Sequence, residues 1–263
     1  MSTRIIAISN QKGGVGKTTS AVSLGAALAE SGQKVLVVDL DPQGNATLAL
    51  GFPKADITVS IYEVLAEDLS IRSAISTSRV GNLDLVPANQ HAAGLELTLA
   101  DTTERETRLR NALAPILDNY RYILIDCPPS LGLLTINAFA AADSVLVPLQ
   151  CEFLAMEGLA QLLNTVSLIR ARLNPALRIE GILLTMYDSR TNLTREVEQE
   201  VRQYFQPENG RHPGDGGVFK TVIPRSIRLA EAPSHGLPIS EYDPHSAGAI
   251  AYAQLAQEVL AHG

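Results

Sequence analysis

The pattern of this chain predicts a doubly wound α/β fold: a single, mostly parallel sheet flanked by helices, in one domain spanning residues 1–263. Three observations point there. Five short runs are rich in β-branched residues and almost continuously apolar, as strands covered on both faces must be. Helical patterns alternate with them. Glycine-rich or acidic segments follow the ends of several runs, which is where open α/β sheets hold ligands.

Residues 4–9 (RIIAIS) read as the first strand. Residues 18–30 form an Ala/Leu-rich helical pattern closed by Gly32, which suits the left-handed position after a helix. Residues 34–39 (KVLVVD) are the next strand, residues 83–86 a weaker one, and residues 103–119 a helix. Strands at 122–126 (YILID) and 144–149 (SVLVPL) follow, then a helix at 157–173, a strand at 179–185 (IEGILLT) and a helix at 192–205. Residues 206–217 (QPENGRHPGDGG) read as an exposed loop and residues 219–223 as a second weak strand. The last helix, 247–261, has an apolar stripe through Ala251, Leu255 and Val259 that should pack on the sheet. No internal repeat or low-complexity tract interrupts this order.

Composition narrows the function classes. Hydrophobic residues are 46% and charged residues 19% of the chain, the balance of a folded protein rather than a disordered one. No run approaches the roughly 18 apolar residues of a membrane span, and no secretory leader is expected ahead of the first strand. Two cysteines make no disulfide framework, so a reducing cytoplasm is the expected location. With no Trp and 5% aromatics, stacking platforms for single-stranded nucleic acid are not expected. The net charge of −7 argues against a surface coated for nucleic acid. The charge is uneven, however. Residues 186–230 hold seven Lys/Arg against six acids, whereas residues 231–263 hold four acids and no Lys or Arg. A basic surface can come only from the first of these stretches.

Between the first strand and its helix lies Asn10-Gln-Lys-Gly-Gly-Val-Gly-Lys-Thr-Thr19. Gly13, Gly14 and Gly16 let the backbone take conformations that a Cβ forbids and approach a ligand closely. Their N–H groups, with those of Val15 and of the helix start at Lys17, Thr18 and Thr19, make an anion cradle. Lys17 is spaced to reach the β- and γ-phosphates of a nucleotide, and Thr18 to place its hydroxyl on Mg²⁺. This is a phosphate loop, with ATP and Mg²⁺ as its expected ligands. It departs from the general pattern because Gln11 stands where the first glycine belongs and a second lysine, Lys12, enters the loop.

The second strand ends in Asp39-Leu-Asp41-Pro-Gln-Gly-Asn45. Two carboxylates at a strand's carboxyl edge suit a metal or water site; the alternative is that they cap the next helix, which fits Asp39 better than Asp41. The strand at 122–126 ends in Asp126, followed by Cys127-Pro-Pro-Ser130. An aspartate after four apolar residues is the arrangement that holds Mg²⁺ in phosphoryl-transfer sites. Cys127 and Cys151 read as small buried hydrophobes rather than cluster ligands.

The octapeptide KGGVGKTT at residues 12–19 resembles the deviant Walker A loop of the ParA/MinD class of ATPases, and DLDPQGN and DCPPS resemble its two switch segments. Similarity to the chromosomal ParA (Soj) group covers essentially the whole chain, including TVIPRSIRLAEAPSHG at residues 221–236. The resemblance implies a homodimer closed around two ATP molecules, with Lys12 reaching the partner's phosphates. It implies that Asp41 orients the attacking water, with Asp39 near the Mg²⁺ shell. It places Met186 and Pro224 beside the adenine. It implies non-specific duplex-DNA binding through Arg190 and Arg228, and stimulation by a ParB-type centromere-binding protein at the nucleoid. The chain starts only a few residues before the loop, so an operator-binding domain is not expected. A membrane-attached relative of MinD type would need a basic amphipathic C-terminal helix; residues 247–261 carry no Lys or Arg. A cargo-positioning ATPase and a small-substrate enzyme remain the alternatives.

Overall fold

The structure, a computed structural model, describes residues 2–100, 102–206, 212 and 214–261. Among the described residues, seven strands form one sheet in the order β3-β4-β2-β5-β1-β6-β7. The strands are β1 (Arg4–Ile8), β2 (Val35–Asp39), β3 (Ser76–Thr77), β4 (Leu83–Val86), β5 (Tyr122–Asp126), β6 (Ser144–Gln150) and β7 (Arg178–Thr185). All pairings are parallel except that of the two-residue edge strand β3 with β4. Parallel pairing follows from the helical crossovers, and burial on both faces explains the unbroken apolar runs.

Alternation along β1 divides the interior. Ile5 and Ala7 face one core, and Ile6 and Ile8 face the other. On the first face lie α3 (Ile61–Ala66), α4 (Leu95–Ala100), α5 (Arg108–Leu113), α6 (Leu133–Ala141), α7 (Ala155–Arg172) and α8 (Asn192–Tyr204), through residues such as Ile61, Leu109, Phe139, Leu159 and Val197. On the second lie α1 (Lys17–Glu30), α2 (Asn45–Ala49), α9 (Ile227–Glu231), α10 (Ile239–Tyr242) and α11 (Ala247–Ala261). Helix α11 buries Ala251, Leu255 and Val259 and packs on α1, where the Ser20 and Tyr252 hydroxyls are 3.0 Å apart. No helix among the described residues is long and apolar enough to cross a membrane.

Two sequence expectations are corrected. The helix expected at 103–119 is α5 followed by a 3-10 turn, Ala114–Asn119. Glu104 has a positive φ of 54° and stops any helix upstream, while Pro115 lacks the N–H that would continue the α pattern downstream. The weak strand at 219–223 is not a ladder. Phe219 N–H donates to Ile182 and Ile223 N–H to Leu184, so four residues span the distance of two and no continuous register forms. The segment is a strap along β7, held down by the Phe219 ring over Gly181, where a Cβ would come within 2.6 Å of it. Of the loop expected at 206–217, residues 207–211 and 213 lie outside the described residues.

Candidate nucleotide site

Register brings the acidic motifs together. Asp39 pairs with Asp126, and Asp126 with Ile8, so β2, β5 and β1 end level with one another at the carboxyl edge. The phosphate loop leaves from β1 at that edge. Gly14 and Gly16 have φ of 77° and 89°, the left-handed region where a side chain is strained. Gly16 precedes α1 and brings no side chain to cap it, which leaves the first N–H groups of a 14-residue helix to a ligand. Two side chains absent from the sequence reading hold the loop. Buried Asn10 donates to Pro148 O at 2.7 Å and accepts from Lys12 N–H at 3.0 Å. Thr185 Oγ1 donates to Val15 O at 2.8 Å. For Thr185 the signal was a polar residue closing an otherwise apolar strand; Asn10 stands two residues past β1, where the loop begins.

Lys17 is buried and its Nζ donates to Lys12 O at 3.1 Å. Burial lowers its pKa, and the charges of Asp126 and Asp41 work against that shift. Lys12, in contrast, lies at the surface, its ammonium paired with Glu152, two residues past the end of β6. The two lysines of the loop thus part: one enters the cradle and the other leaves it.

Asp126 is fully buried and neither carboxylate oxygen has a hydrogen-bond partner. Burial raises its pKa well above the usual carboxylate range, with Asp39 adding to the shift; the Thr18 hydroxyl and Lys17 pull the other way. Asp39 is divided. Its Oδ2 accepts from Thr47 N–H at 2.8 Å and Thr47 Oγ1 at 2.6 Å, while Oδ1 is buried without a partner. Burial pushes it up to about 6. Asp39 therefore does tie down the start of α2, as the capping alternative had it, and still turns one oxygen to the site. Asp41 makes a local turn: Oδ1 accepts from Gln43 N–H and its carbonyl from Gly44 N–H, both at 2.8 Å. Lys54 Nζ closes that turn on Gln43 O.

Three orphaned carboxylate oxygens beside a threonine hydroxyl form an all-oxygen donor set suited to a hard divalent cation such as Mg²⁺. A cavity of about 230 Å³ opens next to the loop. Gly16, Thr19, Met186, Pro224, Leu229 and Tyr252 line it. Met186 holds a φ of 49° there, and Tyr187 bridges to Pro224. Its walls are mainly apolar, as a planar base requires. Arg190 and Arg228 stand exposed beyond this cavity, each on a carboxylate of its own chain. Cys127 and Cys151 are buried and unpaired, and burial raises the pKa of both thiols.

A lysine and a carboxylate buried around a left-handed glycine loop, at the carboxyl edge of a parallel sheet, define a P-loop nucleoside triphosphatase. Comparison with known proteins narrows this. A family profile described as an AAA domain matches residues 3–179. The sporulation initiation inhibitor protein Soj of Bacillus subtilis is 56% identical over 260 residues, 99% of each chain. The chromosome partitioning protein ParA of Myxococcus xanthus is 51% identical over 257 residues, 98% of this chain and 88% of that one. A Mycobacterium smegmatis crystal structure titled cobyrinic acid a,c-diamide synthase, with bound ADP and magnesium, superposes with a TM-score of 0.83. It is 42% identical and covers 99% of this chain and 95% of that one. The chain belongs to the Soj/ParA family of chromosome-partitioning ATPases.

Proposed function

We propose that the chain acts as a single ATPase domain that switches between two assembly states. ATP is held by Gly13, Gly14, Val15, Gly16, Lys17, Thr18 and Thr19, with its base between Met186 and Pro224. Thr18, Asp126 and the unpartnered oxygen of Asp39 would hold the cation, which would offset the charge of the phosphates. Asp41, at the turn after β2, orients the attacking water. Two protomers close around two nucleotides and Lys12 crosses to the partner's phosphates. The closed dimer binds duplex DNA without sequence preference through Arg190 and Arg228. A ParB-type partner speeds hydrolysis and so returns the protein to a DNA-free monomer. The working location is the cytoplasm, on the nucleoid.

One observation carries this reading: Lys12 turns out of the loop and pairs with Glu152 at the surface, while Lys17 is buried in the cradle. A self-sufficient kinase loop has no use for that second lysine, whereas a site completed by a second copy does. The cobyrinic acid chemistry in the name of the M. smegmatis protein belongs to that protein. The test is binding to duplex DNA of unrelated sequence, in ATP against ADP, with Asp41→Ala to hold the ATP state. Binding only with ATP, lost in Lys12→Ala and Arg190→Ala, supports the switch. No binding in either nucleotide removes the DNA step and turns the search to lipid vesicles and protein cargo.

A further inference from the structure

Both arginines assigned to DNA already hold carboxylates. Arg190 Nε and Nη2 donate to Asp188 Oδ1 and Oδ2 at 2.8 and 2.7 Å, and the Arg190 backbone N–H adds a bond to Oδ1 at 3.1 Å. The guanidinium side chain is 87% exposed and the carboxylate 25%. Arg228 Nη1 donates to Glu231 Oε2 at 3.0 Å, and its Nε lies 3.5 Å from Asp243 Oδ2. The Tyr242 hydroxyl donates to the same Glu231 oxygen at 3.1 Å and steadies it. Farther along, Arg202 Nε donates to Glu198 at 2.8 Å. The local excess of cations read from the sequence is thus not free charge: three of its arginines are paired within the chain.

A phosphate approaching Arg190 meets a guanidinium already neutralised by its own carboxylate, with the charge of Arg225 also acting on Asp188. Beyond about 10 Å, one Debye length at 0.1 M salt, what field the pair retains is largely screened. At contact the phosphate must share the guanidinium fork with Asp188 and lie close to a second anion. The pair is too exposed for pre-orientation of the arginine to outweigh that repulsion. Arg190 holds Asp188 down to about 2, so the carboxylate is charged throughout the neutral range.

We propose that Asp188 masks Arg190, and Glu231 with Asp243 masks Arg228, so that these acids set the affinity of the protein for duplex-DNA phosphates. The proposal rests on the DNA reading above. Asp188 does not line the nucleotide cavity, and Asp188→Asn keeps the side chain's shape while removing its charge.

The experiment uses the full chain with Mg²⁺ and a non-hydrolysable ATP analogue, and titrates duplex DNA of unrelated sequence over a range of salt. Asp188→Asn should bind about threefold to tenfold tighter at fixed salt. Its plot of log affinity against log salt should steepen by about 1 per protomer, the value of one more effective phosphate contact. Glu231→Gln should do the same to a smaller degree, because Asp243 remains. In an Arg190→Ala background, Asp188→Asn should lose its effect. If Arg190→Ala weakens binding but Asp188→Asn neither tightens it nor changes the slope, the mask is overturned and the DNA surface stands. If Arg190→Ala binds like the unaltered protein, the DNA assignment of Arg190 fails and the mask falls with it.

Discussion

Asp126 carries an unusual electrostatic cost: it is a fully buried carboxylate with no hydrogen-bond partner, beside a second carboxylate, Asp39. Such a group destabilises the free protein and is relieved by a cation. Asp126→Asn should therefore raise the thermal midpoint of the nucleotide-free protein while removing the gain produced by Mg²⁺ with ADP. Differential scanning calorimetry reads both; an unchanged Mg²⁺ gain would sink the assignment. Asp39 supplies a pH dependence. Its carboxyl titrates near 6 in the folded chain against about 3.9 when unfolded. The folded state thus binds the proton more tightly, and this group's stabilisation is full below pH 4 and lost as pH rises through 6. The nucleotide-free protein should lose stability from this group between about pH 4 and 6, and Asp39→Asn should remove that part of the slope. Mg²⁺ competes with the same proton, so its stabilising effect should be larger at pH 7.5 than at pH 5. Melting curves at the two pH values check this. The chemistry of these residues was legible at the strand ends; their lack of partners was not, because it depends on what packs over them.

At the scale of elements, α2 is fastened to the sheet by one side chain. Thr47 donates twice to Asp39 at the end of β2 and accepts from Ala88 N–H, just beyond β4, at 2.9 Å. Thr47→Val keeps the shape but removes the hydroxyl from Asp39. It should cost about 2–3 kcal/mol in urea denaturation, the scale of unsatisfying a buried charged group. Hydrolysis should fall as well, because the turn carrying Asp41 is set between the same two anchors. Gly16 makes the comparable point for the loop. With φ at 89° an alanine there is strained by about 1 kcal/mol. The larger effect of Gly16→Ala should be on nucleotide affinity, read by calorimetric titration, because its Cβ stands at the mouth of the cradle. The element boundaries show how far local pattern reaches. β4 and β5 fall where the apolar runs put them, because burial on both faces needs no other information. The strap along β7 did not, because its spacing is dictated by a partner strand and by Phe219 seated on Gly181.

Across the whole molecule, Arg4 joins the first strand to the last parts of the chain. Its Nη2 holds Glu180 on β7 at 2.8 and 2.9 Å, and its Nη1 donates to Val259 O on α11 at 2.9 Å. Ser144 on β6 donates to the same carboxylate at 2.6 Å. Arg4→Met should destabilise the fold by about 3 kcal/mol, since one member of a largely buried pair is removed. The loss should appear as a lower urea midpoint with an unchanged slope. The sequence by itself determined the class of fold, the places of the six longer strands and the phosphate loop. Each of these is written in neighbouring residues, through burial period, glycine and charge at strand ends. Only the tertiary structure decided that Asp39 would be divided between Thr47 and the site, that Lys12 would rest on Glu152, and that Arg190 and Arg228 would each be held by acids. These are pairings of side chains, from Arg190 and Asp188, two residues apart, to Lys12 and Glu152, 140 apart. Local pattern fixes which residues are buried, but strand register and helix packing choose the atoms that meet.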